Sequence, residues 1–217
     1  MSHGEMEKKI KDALYTFDSE EVLKVTKEIL DEGAKPIDVI NVFSKALEEI
    51  GQKFENGELW LTELIFAGEA ARKAIMELVE PKLRETGTKR EVLGKVVLGT
   101  VAGDIHDIGK NIVAALLFAS GFEVIDLGKD VPVERFVEAV KEYKPDILGL
   151  SALMTTTMLV QKDVIEALKK AGLRDKVKVI VGGAPTSREW AREIGADAHA
   201  ADATEGVEIC KKLVKGS

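Results

Sequence analysis

Apolar positions recur with a helical period over roughly the first 86 residues, and no convincing strand interrupts them. Ile10, Leu14 and Phe17 share one face of a first helix. Val22, Leu23, Val25, Ile29 and Leu30 continue the pattern in a second, with Asp18-Ser19 between the two as a cap. Gly33 closes that helix, and Pro36 falls in the first turn of a third, where a missing N–H does no harm. The third helix carries Ile40, Val42, Phe43, Leu47 and Ile50 and runs to about residue 55. Asn56-Gly57 marks a turn, and a fourth helix is expected from Thr62-Glu63 to about Arg84. Four helices with short connections predict a small bundle over residues 5–86. The opening Met1-Ser2-His3-Gly4 reads as frayed, and no role falls to His3.

The rhythm then changes. Glu85-Thr86-Gly87-Thr88-Lys89-Arg90 is polar and aperiodic, and residues 87–94 read as a linker between domains. From there, over 95–217, short apolar runs alternate with helical patterns. Strands are predicted at 95–101, 123–127, 147–151, 177–181 and, weakly, 196–200. Helices are predicted at roughly 107–120, 133–143, 155–171, 187–194 and 204–214. Helices of that length between strands imply parallel pairing through right-handed crossovers. The expected fold class is α/β: a four-helix bundle, then a five-stranded parallel sheet of flavodoxin-like or Rossmann-like build. Sheets of this kind bind ligands beyond the carboxyl ends of their strands.

Charge and composition narrow the partners. A net charge of −7, with Lys and Glu interleaved along the helices, gives no basic face for nucleic acid. No apolar run approaches the ~20 residues that span a bilayer, and the N-terminus lacks a signal-peptide pattern. A single cysteine precludes an intramolecular disulfide; Cys210 recurs with Val207 and Val214 and reads as core. A cytoplasmic protein is the expectation.

Candidate chemistry collects after the first, third and fourth predicted strands. The pieces are Asp104-Ile105-His106-Asp107-Ile108-Gly109, Ser151-Ala152-Leu153 and Gly182-Gly183, each at the end of an apolar run. This three-part pattern resembles the cobalamin-binding domain of methionine synthase, corrinoid methyl-carrier proteins and carbon-skeleton mutases. The resemblance implies that His106 is the lower axial ligand of cobalt in cobalamin or a related corrinoid, such as methylcobalamin. It also implies that the cofactor's displaced nucleotide tail enters the protein. The residue types suit that role. A neutral imidazole binds metal through one nitrogen, and a carboxylate such as Asp104 can hold the other N–H, fixing the tautomer. Asp107, Ile108 and Gly109 continue the loop into a helix, with Gly109 leaving room for a flat macrocycle. For the tail, Ser151 offers a hydroxyl, Leu153 apolar lining, and Gly182 and Gly183 close backbone approach. Ala203 could line the pocket by position.

Thr155, Thr156 and Thr157 are expected to open the third helix of this domain, the first as its cap. By similarity to methionine synthase, Thr157 matches the hydroxyl residue of a His–Asp–Ser relay, here His106–Asp104–Thr157. His199 reads as structural. The stretch Phe54-Glu55-Asn56-Gly57-Glu58-Leu59-Trp60-Leu61-Thr62-Glu63-Leu64 is similar to the helical cap that precedes this domain in methionine synthase and methyl carriers. There, apolar side chains shield the upper cobalt face; Phe54, Leu61 and Leu64 are the matching candidates.

The resemblance covers about residues 6–214. It implies a carrier subunit of a methanol-, methylamine- or methoxy-type methyltransferase system rather than an enzyme on its own. Such a carrier accepts a methyl group on Co(I) from a substrate-specific methyltransferase. It presents methyl-Co(III) to a second methyltransferase with a thiol or tetrahydrofolate acceptor. A reductive activase is the third partner implied, and the linker is the expected hinge. The competing reading is a cobalamin-dependent sensor without methyl transfer. A flavin- or phosphate-binding domain would need an anion-cradling loop after the first strand, which the Asp104/Asp107 loop does not make.

Overall fold

The computed structural model describes residues 2–85 and 92–215, with the side chains of Glu55 and Arg84 excepted. The linker expected at 87–94 lies mostly outside the described residues. Two compact units divide the chain at 91/92, with residues 118–121 grouped with the first.

The first unit is helical: α1 (His3–Leu14), α2 (Ser19–Asp31), α3 (Pro36–Glu55), α4 (Leu61–Ala74) and α5 (Glu80–Glu85). Its apolar stripes meet as the periodicity requires, burying Ile10, Leu14, Ile29, Phe43, Leu47 and Ile50 almost completely. Helix α4 contributes a small-residue face, Ala67, Gly68, Ala70, Ala71 and Ala74, all buried. Three local expectations change. The chain opens in an ordered cap: the Ser2 hydroxyl accepts from Glu5 N–H and the Glu5 carboxylate accepts from Ser2 N–H. Phe17 lies beyond α1, in the left-handed region at φ 56°, with its N–H on the Leu14 carbonyl. The fourth helix is interrupted by a π-helical stretch, Ile75–Val79, between α4 and α5.

The second unit alternates β1 (Lys95–Thr100), α6 (Ile108–Ala119), β2 (Glu123–Asp126), α7 (Val133–Tyr143), β3 (Ile147–Ser151), α8 (Met158–Lys170), β4 (Lys178–Gly182), α9 (Arg188–Ile194), β5 (Ala198–Ala200) and α10 (Ala203–Lys215). The strands are all parallel in the order β2-β1-β3-β4-β5. That is the doubly wound flavodoxin order. Val97, Leu148, Leu150, Val179 and Val181 form one core with Phe136, Val164, Ile165 and Leu168 of α7 and α8. Cys210 is buried in α10, and burial pushes its thiol pKa up to about 12, so it is an inert core residue as the sequence suggests. Among the described residues no helix is long and apolar enough to cross a membrane.

Parallel register aligns the strand ends. Thr100 pairs with Ser151, Ser151 with Gly182, and Gly182 with Ala200. All three sequence pieces therefore open on the same edge of the sheet.

Candidate functional site

The loop after β1 is folded around one carboxylate. Gly103 turns the chain at φ 79°, its N–H bound to the Asp130 carboxylate at 2.7 Å. Asp104 is then buried, at 0% exposure. Its Oδ1 accepts from the His106 backbone N–H (3.1 Å) and lies 2.8 Å from His106 Nδ1. Its Oδ2 accepts from the Thr157 hydroxyl and the Leu153 N–H, both at 2.7 Å. Burial alone would push this carboxyl pKa up. The Thr157 hydroxyl, the Leu153 N–H and both His106 contacts reverse that and hold it well below the ordinary aspartate value. An ionised Asp104 accepts and cannot donate, so Nδ1 carries the imidazole proton toward it. In the neutral tautomer that points Nδ1–H at Asp104, Nε2 carries the free lone pair, on a side chain 49% exposed. Nε2 makes no hydrogen bond among the described residues.

Large apolar side chains stand exposed in the same loops: Ile105, Ile108, Leu153 and Met154. Gly109 is exposed too, and a Cβ there would meet nothing within 4 Å. A partly exposed imidazole nitrogen with exposed apolar side chains around it suits the flat, apolar face of a macrocycle better than water. Among the described residues no cluster of three or more His, Cys, Asp or Glu side chains could hold a bare metal ion. A metal at His106 would take its other ligands from a bound ring.

Other expected residues separate into distinct roles. Asp107 gives its carbonyl to Asn111 N–H at the start of α6 and its carboxylate to Lys129 at 3.4 Å. Ser151 is half-buried, and its hydroxyl has no partner among the described residues; it shares a row with Gly182 and Ala200, with Ala203 half-buried just beyond. A Cβ on Gly182 would lie 3.3 Å from the Ala200 carbonyl. Gly183 is required by the fold itself: at φ 118°, its Cβ would fall 1.7 Å from the Ala152 carbonyl oxygen.

The threonine run is also rearranged. Thr155 and Thr156 are exposed in a turn before α8, so Thr155 does not cap that helix. Thr157 is the N-cap residue, but its hydroxyl serves Asp104 rather than the helix N–H groups. In the helical unit Leu64 is buried, Phe54 and Leu61 are half-buried, and Trp60 is 79% exposed. His199 Nε2 contacts the Thr186 hydroxyl at 3.0 Å.

Sequence reasoning missed four supports. Thr100 donates to the His106 carbonyl (3.1 Å), Asp130 holds Gly103, buried Lys110 pairs with Asp126, and buried Gln161 spans two strand ends. For Gln161 a signal existed: a polar residue on the apolar stripe of Val164, Ile165 and Leu168.

Comparison with known proteins agrees with this geometry. Residues 94–210 and, separately, 6–78 match family models described as B12 binding domain. The chain belongs to the B12-binding family. Among its relatives, trimethylamine corrinoid protein 1 of Methanosarcina acetivorans is 46% identical over 98% of this chain and 99% of that protein. Dimethylamine corrinoid protein of Methanosarcina barkeri is 44% identical over 99% of this chain and all of the relative. The solved methanol:cobalamin methyltransferase complex MtaBC of Methanosarcina barkeri superposes with a TM-score of 0.85. It is 29% identical, covering 98% of this chain and 81% of that one. The architecture expected of a B12-binding protein, a helical region followed by a parallel α/β domain, is the one observed.

Proposed function

We propose that this B12-binding protein is a corrinoid methyl carrier. It receives a methyl group from a substrate-specific methyltransferase and presents it to a second methyltransferase with a thiol or tetrahydrofolate acceptor. The carrying observation is the His106–Asp104–Thr157 chain, which turns one imidazole nitrogen outward on an apolar surface. The names of the relatives make methylamines the first donor class to test. A reductive activase is the third expected partner, and the cytoplasm the expected compartment.

When bound, the corrinoid supplies a cobalt centre that can take up and release the methyl group. The chain's own residues do the rest. His106 would offer Nε2 to the metal while Asp104 fixes the tautomer. Thr157 and the Leu153 N–H keep Asp104 ionised and in place, which would hold the imidazole in one orientation toward a bound metal. Ile105, Ile108, Leu153 and Met154, exposed here, would exclude water from a bound ring. For a nucleotide tail, Ser151 would offer a hydroxyl and Gly182 a position without a side chain, with Ala200 and Ala203 beside them. Gly109 leaves space beside the ring. Phe54, Leu61 and Leu64 are proposed as apolar cover for the opposite face on resemblance alone.

The ligand assignment is tested by reconstituting the chain with hydroxocobalamin. The wild type should bind with its cobalt held by imidazole, and His106→Ala should bind with that spectral signature lost. An unchanged spectrum would remove His106 as the ligand.

A further inference from the structure

Gln161 is fully buried, one helical turn after Thr157 on α8. Its Nε2 donates to the Leu150 carbonyl at 3.0 Å and the Gly182 carbonyl at 3.2 Å. Its Oε1 accepts from the indole N–H of Trp190 at 2.9 Å. An indole nitrogen can only donate, so Trp190 fixes which end of the amide faces it and turns both amide hydrogens to the sheet. The bridged carbonyls precede Ser151 on β3 and Gly183 after β4. One side chain therefore clamps together the two strand ends where the second and third sequence pieces begin.

The same clamp reaches Asp104 by two routes. Leu153, whose N–H holds Asp104 Oδ2, follows Leu150 by three residues on the chain leaving β3. Thr157, whose hydroxyl holds the same oxygen, precedes Gln161 by four residues, which places both on one face of the helix start. We propose that Gln161, oriented by Trp190, is a positioning residue that fixes Asp104 and thereby holds the His106 imidazole in its ligating orientation. This rests on the reading of His106 as the cobalt ligand.

Gln161→Met keeps the volume and removes both donors and the acceptor. In the metal-free chain, hydrogen exchange at the Leu153 amide should accelerate about tenfold while α7 exchanges as before. Loaded with hydroxocobalamin, the variant should bind about tenfold more weakly and show part of its cobalt without imidazole. Wild-type exchange at Leu153 together with a wild-type spectrum would overturn the inference. If the wild type takes up no corrinoid, the carrier reading itself fails, and the exchange result still judges the clamp. Should Gln161→Met not fold, Trp190→Phe frees the amide to turn over and should show the same changes in smaller measure. Unchanged Leu153 exchange in that variant would overturn the clamp equally.

Discussion

Asp104→Ala should lower the stability of the metal-free chain by about 3 kcal/mol, read as a reduced urea midpoint at unchanged slope. The change leaves the Thr157 hydroxyl and the Leu153 N–H facing a dry hole where they had a carboxylate. It also frees the His106 ring, so loaded protein should lose the imidazole signature with it. The pH dependence follows from the direction of the shift. The folded carboxyl sits well below its ordinary value, so its stabilisation is present in full above the unfolded value of about 3.9. It is lost as pH falls toward the folded value. The stability gap between wild type and Asp104→Ala should hold steady from about pH 7 to 5 and narrow below about pH 4. A gap still unchanged at about pH 3 would show that the Asp104 carboxyl is not depressed.

The two adjacent glycines should behave as opposites. Gly183→Ala requires a methyl group inside the Ala152 carbonyl and a positive φ that alanine resists, so a loss of about 3 kcal/mol or more is expected. Little folded protein should accumulate. Gly182→Ala meets the Ala200 carbonyl at 3.3 Å, and a small shift accommodates it at a cost of about 1 kcal/mol. Yet its methyl group enters the row between Ser151 and Ala200, so corrinoid uptake should weaken while the fold persists. Thermal unfolding and corrinoid titration of the pair separate these effects. Equal stability losses in both variants would contradict the division of labour.

Much of this was legible before any coordinates, because each signal was local. Short apolar runs placed the five strands and period-3.6 patterns the major helices, and the alternation of strand and helix set parallel pairing. Asp104 and His106, two residues apart on one loop, could be paired from their spacing together with the resemblance to cobalamin-binding domains. What escaped depends on neighbours far along the chain. The two glycines share a residue type but differ in what stands opposite, and only the β3–β4 register reveals Ala152 against Gly183. Thr155 satisfied every local rule for a cap. The helix starts later because the Thr157 hydroxyl is drawn to a buried carboxylate 53 positions away. The π-helical stretch at Ile75–Val79 falls inside the single fourth helix that the apolar spacing predicts.

The methyl-carrier reading stands or falls with a bond between the outward nitrogen of His106 and the corrinoid's metal. Electron paramagnetic resonance of the loaded Co(II) protein measures this directly, with histidine nitrogen isotopically labelled. Labelling should change the nitrogen hyperfine pattern from a triplet to a doublet, and His106→Ala should abolish that coupling. A pattern unmoved by the label would place the cofactor's own base, or no nitrogen at all, where the imidazole should be.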